Sequence, residues 1–167
     1  LSPRPTPRQL DTQVNFVHLT ALRRLLEQPE AIAAMDADGV PLTNAELLEL
    51  VRHQVRALRT LGDLQGRPVV LALPRSIELV TAQLAALALG AWTVVLDLQA
   101  PMQRSQAILD DTPGCVLAVD LSLASPEGLE CEQRVDLASQ AVQDENNAEQ
   151  PELETLLNRL PSPMATA

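Results

Sequence analysis

The chain contains no lysine: all 12 of its basic residues are arginine. Tyrosine is also absent, and Phe16 and Trp92 are the only aromatic residues. Each absence excludes some chemistry. Without lysine there is no lysine Schiff base, and a Walker phosphate loop, whose lysine reaches the phosphates, does not exist. Clustered cations bind a phosphate backbone and stacked rings bind single strands, so the scarcity of both argues against a nucleic-acid partner. No apolar run reaches about 18 residues without a charge, so neither a transmembrane helix nor a membrane partner is expected. Residues 1–10 are rich in proline and arginine rather than apolar, unlike a signal peptide, and the expected location is the cytoplasm. Cysteine is scarce too. Cys115 and Cys131 lack metal-ligand spacing, and Cys115, inside an apolar run, reads as a small buried hydrophobe.

What remains has a globular composition. The 167 residues are 46% hydrophobic and 20% charged, with a formal net charge of −10. This length makes one domain or one large piece of a domain. The charge is uneven: residues 127–167 hold 2 basic and 9 acidic residues, against 10 and 13 over residues 1–126. The chain therefore divides into a proline-punctuated linker over 1–12, a body over 13–137, and an acidic, partly flexible tail over 138–167. Leu153, Leu156, Leu157 and Leu160 allow a short helix within that tail.

Within the body, Val14, Val17, Leu22, Leu25 and Leu26 recur at helical spacing, giving a helix over 13–27. Residues 31–35 and 40–42 flank the turn Asp36–Gly39 and predict a β-hairpin. Thr43 with Glu46 three residues on is a capping box for a helix whose apolar stripe is Leu47, Leu50, Val51, Val55, Leu58 and Leu61, ending at Gly62. Val69–Leu73, Trp92–Leu96 and Cys115–Val119 are short apolar runs, as strands buried on both faces should be. Between them lie a helix capped by Ser76, with Ile77, Val80, Leu84 and Leu87 as its stripe, and a helix opening at Pro101. Arg134–Leu137 allows one more short strand. Alternating strands and helices build a parallel sheet, so the fold class is α/β.

Motifs that could carry chemistry are few, and each has a plain structural reading. Leu73-Pro74-Arg75-Ser76 joins a buried strand to a helix, where ligands sit in open α/β sheets. It has no glycine to admit a phosphate, and a capping Ser76 with a solvated Arg75 is favoured. Asp97, ending the next strand, suits a ribose hydroxyl or a cation, but more often such a residue closes its own turn. His18 and His53 have no third ligand nearby in sequence, and His53 has Glu49 at i−4, which suits a surface pair. No Gly-rich phosphate loop, nucleophile elbow or HExxH occurs. No residue is assigned a catalytic, cofactor-binding or metal-binding role.

Four stretches taken together carry a family resemblance. Residues 42–47 (LTNAEL) look like an L-T-Y-x-E-L motif, and residues 73–80 (LPRSIELV) like L-x-R-S-x-E-x-V. Residues 87–97 (LALGAWTVVLD) look like L-K-A-G-x-A-Y-V-P-L-D; Ala100-Pro101, Arg104 and 108–111 (ILDD) then fall where the same family has Y-P, E-R and I-L-x-D. In this order residues 31–119 resemble the N-terminal part of the adenylation domain of nonribosomal peptide synthetases, in the adenylate-forming superfamily. Departures are Asn44 and Thr93 for tyrosines, Ala88 for a lysine, and Val95 and Leu98 for prolines. The family's phosphate loop, substrate pocket, ribose-binding aspartate, hinge and catalytic lysine all follow the matched segment. The resemblance thus implies no catalytic or ATP-binding residue at any position here, and no cofactor.

It implies a partial parallel sheet with flanking helices in a three-layer-like arrangement, part of the large N-terminal subdomain. The expected function is a truncated adenylation domain, not an enzyme as an isolated chain, with a structural or domain-interaction role. One alternative is half of a split or cleaved amino-acid-adenylating enzyme that needs a partner chain. Another is a docking module for neighbouring condensation or carrier domains. In each case the expected partners are neighbouring synthetase domains.

Overall fold

The computed structural model describes residues 17–36, 38–123 and 128–138. In order these form α1 (Val17–Glu27), β1 (Ile32–Met35), β2 (Pro41–Thr43), α2 (Asn44–Arg59), β3 (Pro68–Ala72), α3 (Ile77–Ala88), β4 (Trp92–Val95), α4 (Met102–Asp110), β5 (Val116–Val119) and β6 (Gln133–Asp136). The linker 1–12, the expected first helical residues 13–16 and the tail from 139 onward, with its candidate helix, lie outside the described residues.

The hairpin forms where the turn signal placed it, with β1 and β2 antiparallel. One carboxylate closes its turn: Asp36 Oδ1 accepts the N–H groups of Asp38 at 2.9 Å and Val40 at 2.8 Å. Thr43 ends β2 and caps α2. Its hydroxyl accepts the Glu46 N–H at 3.3 Å, while Glu46 Oε2 accepts the Thr43 N–H at 2.8 Å, completing the capping box. The buried face of α2 includes Leu47, Val51, Val55 and Leu58, as its stripe requires. Gly62, at φ +86°, turns the chain out of the helix in a conformation that strains a residue with a Cβ.

The main sheet has the order β4-β3-β5-β6, and every pair is parallel. All residues of β3 and β5 are buried. Alternate side chains serve opposite faces. Val69, Leu71, Leu73, Val116, Ala118 and Val135 pack in one core with α1, α2 and α3. Val70, Ala72, Leu117 and Val119 join Leu109 of α4, Cys115 and Leu129 in a second core. Two covered faces explain the unbroken apolar runs, and each fully buried valine or leucine contributes about 1.5–3 kcal/mol.

Some sequence expectations are corrected. Trp92–Leu96 is not a strand buried on both faces: among the described residues β4 is the sheet edge, with Trp92 47% and Val95 43% exposed. An apolar run marks a strand, but its place in the sheet depends on what pairs beside it. The stripe of α3 is only partly the one expected: Ile77 and Leu84 pack against the core. Val80 is 49% exposed, and the buried face is Thr81, Ala82, Ala85, Ala86 and Ala88. The helix is apolar almost all round, so its periodicity does not select a face. Small alanine side chains allow the close approach of α2, β3 and β4 that larger residues would prevent. In α1, Val17 is exposed and Leu19, Leu22 and Leu25 form the buried stripe.

Candidate functional site

Because β3, β4, β5 and β6 are parallel, their carboxyl ends lie along one edge of the sheet. Ala72 of β3 is in register with Val119 of β5, so Leu73-Pro74-Arg75-Ser76 emerges beside Asp120-Leu121-Ser122. Asp97 follows β4 and Asp136 ends β6. The fold thus brings Arg75, Asp97, Asp120 and Asp136 to the edge where open α/β sheets bind ligands. Sequence reasoning identified the first two and missed the others. A clue was present for Asp120: it directly follows an apolar strand, as Asp97 does.

These carboxylates are occupied by their own backbone. Asp97 Oδ1 accepts the Gln99 N–H at 3.0 Å. Asp120 Oδ1 accepts the Ser122 N–H at 2.9 Å and the Ser122 hydroxyl. Asp136 Oδ1 accepts the Leu121 N–H at 3.0 Å and the Ala138 N–H at 3.1 Å. Each therefore accepts the N–H of the residue two positions on, and Asp136 also ties the end of β5 to that of β6. This is turn closure, and it bears out the structural reading of Asp97. No group of His, Cys, Asp and Glu among the described residues could hold a metal ion.

Ser76 occupies the N-cap of α3 with extended backbone, but its side chain makes no capping bond. Its Oγ is buried without a hydrogen-bond partner, as is Gln54 Oε1. The Gln54 amide instead donates to Glu78 O at 3.2 Å, bridging α2 to the first turn of α3. Glu78 in that first turn places a carboxylate near the positive end of the helix dipole, which disfavours an incoming anion. Arg75 is exposed, as expected.

The histidines do not meet in one site. His18 lies on α1, and burial pushes it below its ordinary value of 6.5, favouring the neutral ring. His53, on α2, does not pair with Glu49. Its Nε2 lies 3.1 Å from the carbonyl of Leu137, while Glu49 pairs with Arg52 on its own helix. A contact across 84 residues was invisible in local spacing, and its role is to hold the end of β6 against α2. Cys115 is buried in the second core, as expected, but it is not alone there: Cys131 packs against that core and its Sγ lies 3.6 Å away. Both are free thiols. Among the described residues no helix is long and apolar enough to cross a membrane.

A parallel sheet with helices on both faces and an edge of turn-closing carboxylates is an open α/β scaffold, and no catalytic set is recognisable among the described residues. The sequence matches the family of AMP-binding enzymes over residues 22–166, most of the chain, and the protein belongs to that family. It is 34% identical over 123 residues to Malpibaldin synthetase of Mortierella alpina, covering 70% of this chain and 2% of that protein. It is likewise 34% identical over 92 residues to the nonribosomal peptide synthetase atnA of Emericella nidulans, covering 55% of this chain and 1% of that one. Among solved structures, its fold resembles O-succinylbenzoate coenzyme A synthetase from Bacillus subtilis in complex with AMP. There the TM-score is 0.61 at 24% identity, covering 70% of this chain and 31% of the other. The chain thus spans a few per cent of the length of these synthetases and about a third of the solved enzyme. The suspected kinship with the N-terminal part of synthetase adenylation domains is borne out, and so is the α/β parallel sheet with flanking helices.

Proposed function

We propose that this chain acts as a structural, non-catalytic part of an amino-acid-adenylating domain in a nonribosomal peptide synthetase, positioned among neighbouring synthetase domains in the cytoplasm. The observation that carries this reading is the carboxyl edge of the sheet. The side chains best placed to meet a ligand there, Asp97, Asp120 and Asp136, hold backbone N–H groups in closed turns. They organise loops rather than reacting groups. The chain also has no lysine to place against an acyl phosphate, where a cation would stabilise developing negative charge.

The edge strand β4 favours a second reading, in which this body completes itself against a partner chain that supplies the rest of an adenylating enzyme. Its exposed Trp92 and Val95 give the sheet an apolar flank suited to further domain structure. Amino-acid-dependent exchange of pyrophosphate into ATP separates the two. The structural reading expects no exchange by the chain alone, nor after co-expression with a segment carrying a phosphate loop and catalytic lysine. Exchange restored by that segment supports the split-enzyme reading, and exchange by the chain alone refutes both. Binding to isolated condensation or carrier domains, with no effect of the complementing segment, would instead make the chain a docking module.

A further inference from the structure

We propose that Cys115 and Cys131 form a redox-responsive thiol pair that closes to an intramolecular disulfide when the protein meets a peroxide, stapling the β5–β6 crossover. Cys115 immediately precedes β5, and Cys131 lies two residues before β6. Their sulfurs are 3.6 Å apart, and the Cys131 thiol also faces the Cys115 carbonyl at 3.5 Å. A disulfide bond is about 2.05 Å long, so closure asks for roughly 1.5 Å of sulfur movement, within reach of side-chain rotation.

The surroundings hold the two thiols in place. Arg67, entering β3, donates from one nitrogen to Gly114 O at 3.1 Å and to Gln133 Oε1 at 2.6 Å. Those residues flank the two cysteines, so one guanidinium clamps both segments. Gln106 on α4 forms a second clamp on the residue before Cys131: its amide donates to Glu130 O at 3.1 Å, and its oxygen accepts the Glu130 N–H at 2.9 Å. Neither clamp is explained by the turn-closing edge at the other end of the strands.

The order of events follows from burial. Cys131 is the more exposed thiol and meets the oxidant first. Its thiolate attacks the peroxide, the O–O bond breaks, and Cys131 becomes a sulfenic acid as the peroxide leaves as an alcohol or water. The Cys115 thiolate then attacks the Cys131 sulfur, the S–O bond breaks, and hydroxide leaves to take up the proton Cys115 gave away. Two thiols lose two electrons and the peroxide gains them. Burial, together with Cys131, pushes Cys115 up to about 11, so the closing step is slow at neutral pH. Below that value closure quickens about tenfold for each unit of rising pH.

The test uses the full 167-residue chain, treated with hydrogen peroxide and then alkylated. Trypsin leaves both cysteines in one peptide, residues 105–134, because no arginine or lysine lies between Arg104 and Arg134. The expected product is that peptide short by two hydrogens and without alkyl groups, separating on cleavage after glutamate into two chains joined until reduced. The oxidised chain melts roughly 10 °C higher than the reduced one, and the gain disappears in Cys131→Ser and in Cys115→Ala. Sulfinic acid at Cys131 with Cys115 still open to alkylation, or disulfide-linked dimers in place of the internal bond, would overturn the proposal. The Cys131→Ser variant guards against a core defect in Cys115→Ala: it keeps the buried thiol and should fold, yet show no closure.

Discussion

Replacing Ala85 by leucine tests how α3 is seated. Ala85 has no exposed surface and sits on the helix face turned toward α2 and the sheet, between Ala82 and Ala86, which are equally buried. A leucine adds three carbon atoms where the neighbouring backbone has closed in around a methyl group. Overpacking of this kind costs about 1–3 kcal/mol, because side chains leave their rotamers or the helix lifts off. A loss of about 2 kcal/mol lowers the melting temperature by roughly 6–8 °C in a body of this size. The companion substitution is Val80→Ala. Val80 is 49% exposed, so its truncation should change stability by no more than about 0.5 kcal/mol. Urea unfolding followed by far-ultraviolet circular dichroism measures both on one scale, and a constant slope confirms that only stability has moved. Trp92 fluorescence is the poorer probe, because that ring already meets water at the sheet edge. If Val80→Ala costs more than Ala85→Leu, Val80 rather than Ala85 faces the core, and this seating of α3 is refuted.

Other predictions concern the ends of elements. Thr43→Ala removes the hydroxyl that accepts the Glu46 N–H and should cost about 1 kcal/mol in the same unfolding experiment. Glu46 is held below its ordinary value of 4.5, first by the Thr43 N–H and then by the Thr43 hydroxyl. A carboxyl lowered on folding stabilises in full above its unfolded value and loses that contribution as pH falls through the folded one. Glu46→Gln keeps an acceptor and removes the titration, so its stability should vary less than the parent's as pH drops below 4.5; equal profiles would refute the capping account. His53→Ala removes the contact with the Leu137 carbonyl and should cost about 1 kcal/mol, with faster hydrogen exchange in β6 and at the Leu137 N–H bonded to Val119 O. Unchanged exchange there would show that β6 is held by its strand pairing alone.

What the sequence made legible is what neighbours along the chain decide. The capping box at Thr43 and Glu46, the turn around Asp36 and the helix end at Gly62 each depend on a few adjacent residues, and each formed as expected. The runs that became β3 and β5 were equally plain, because two-sided burial leaves no polar position. Matters of tertiary placement were not legible. Trp92–Val95 has the composition of a central strand, and only the absence of a described neighbour beyond it makes it an edge. The face of α3 was ambiguous because alanine and leucine surround the helix. At the carboxyl edge, Asp97 was readable as a turn closer, while the tie from Asp136 to the end of β5 needed the sheet. His53 and the thiol pair likewise join segments that only the fold brings together.

The strand order has a consequence for how the chain is made. β3 is the first strand of the main sheet to be synthesised, yet it ends in the interior, with β4 on one flank and β5 on the other. A ribosome that has released residues up to α4 has delivered β3 with one side paired and one side bare. The bare side is filled only when Val116–Val119 arrives, in a register that joins Val69 to Val116 across a long intervening stretch. Loop closure over that distance precedes its reward, so this step should set the pace of folding. The nascent body therefore stays open, and exposed to wrong strand pairing, until β5 has left the exit tunnel.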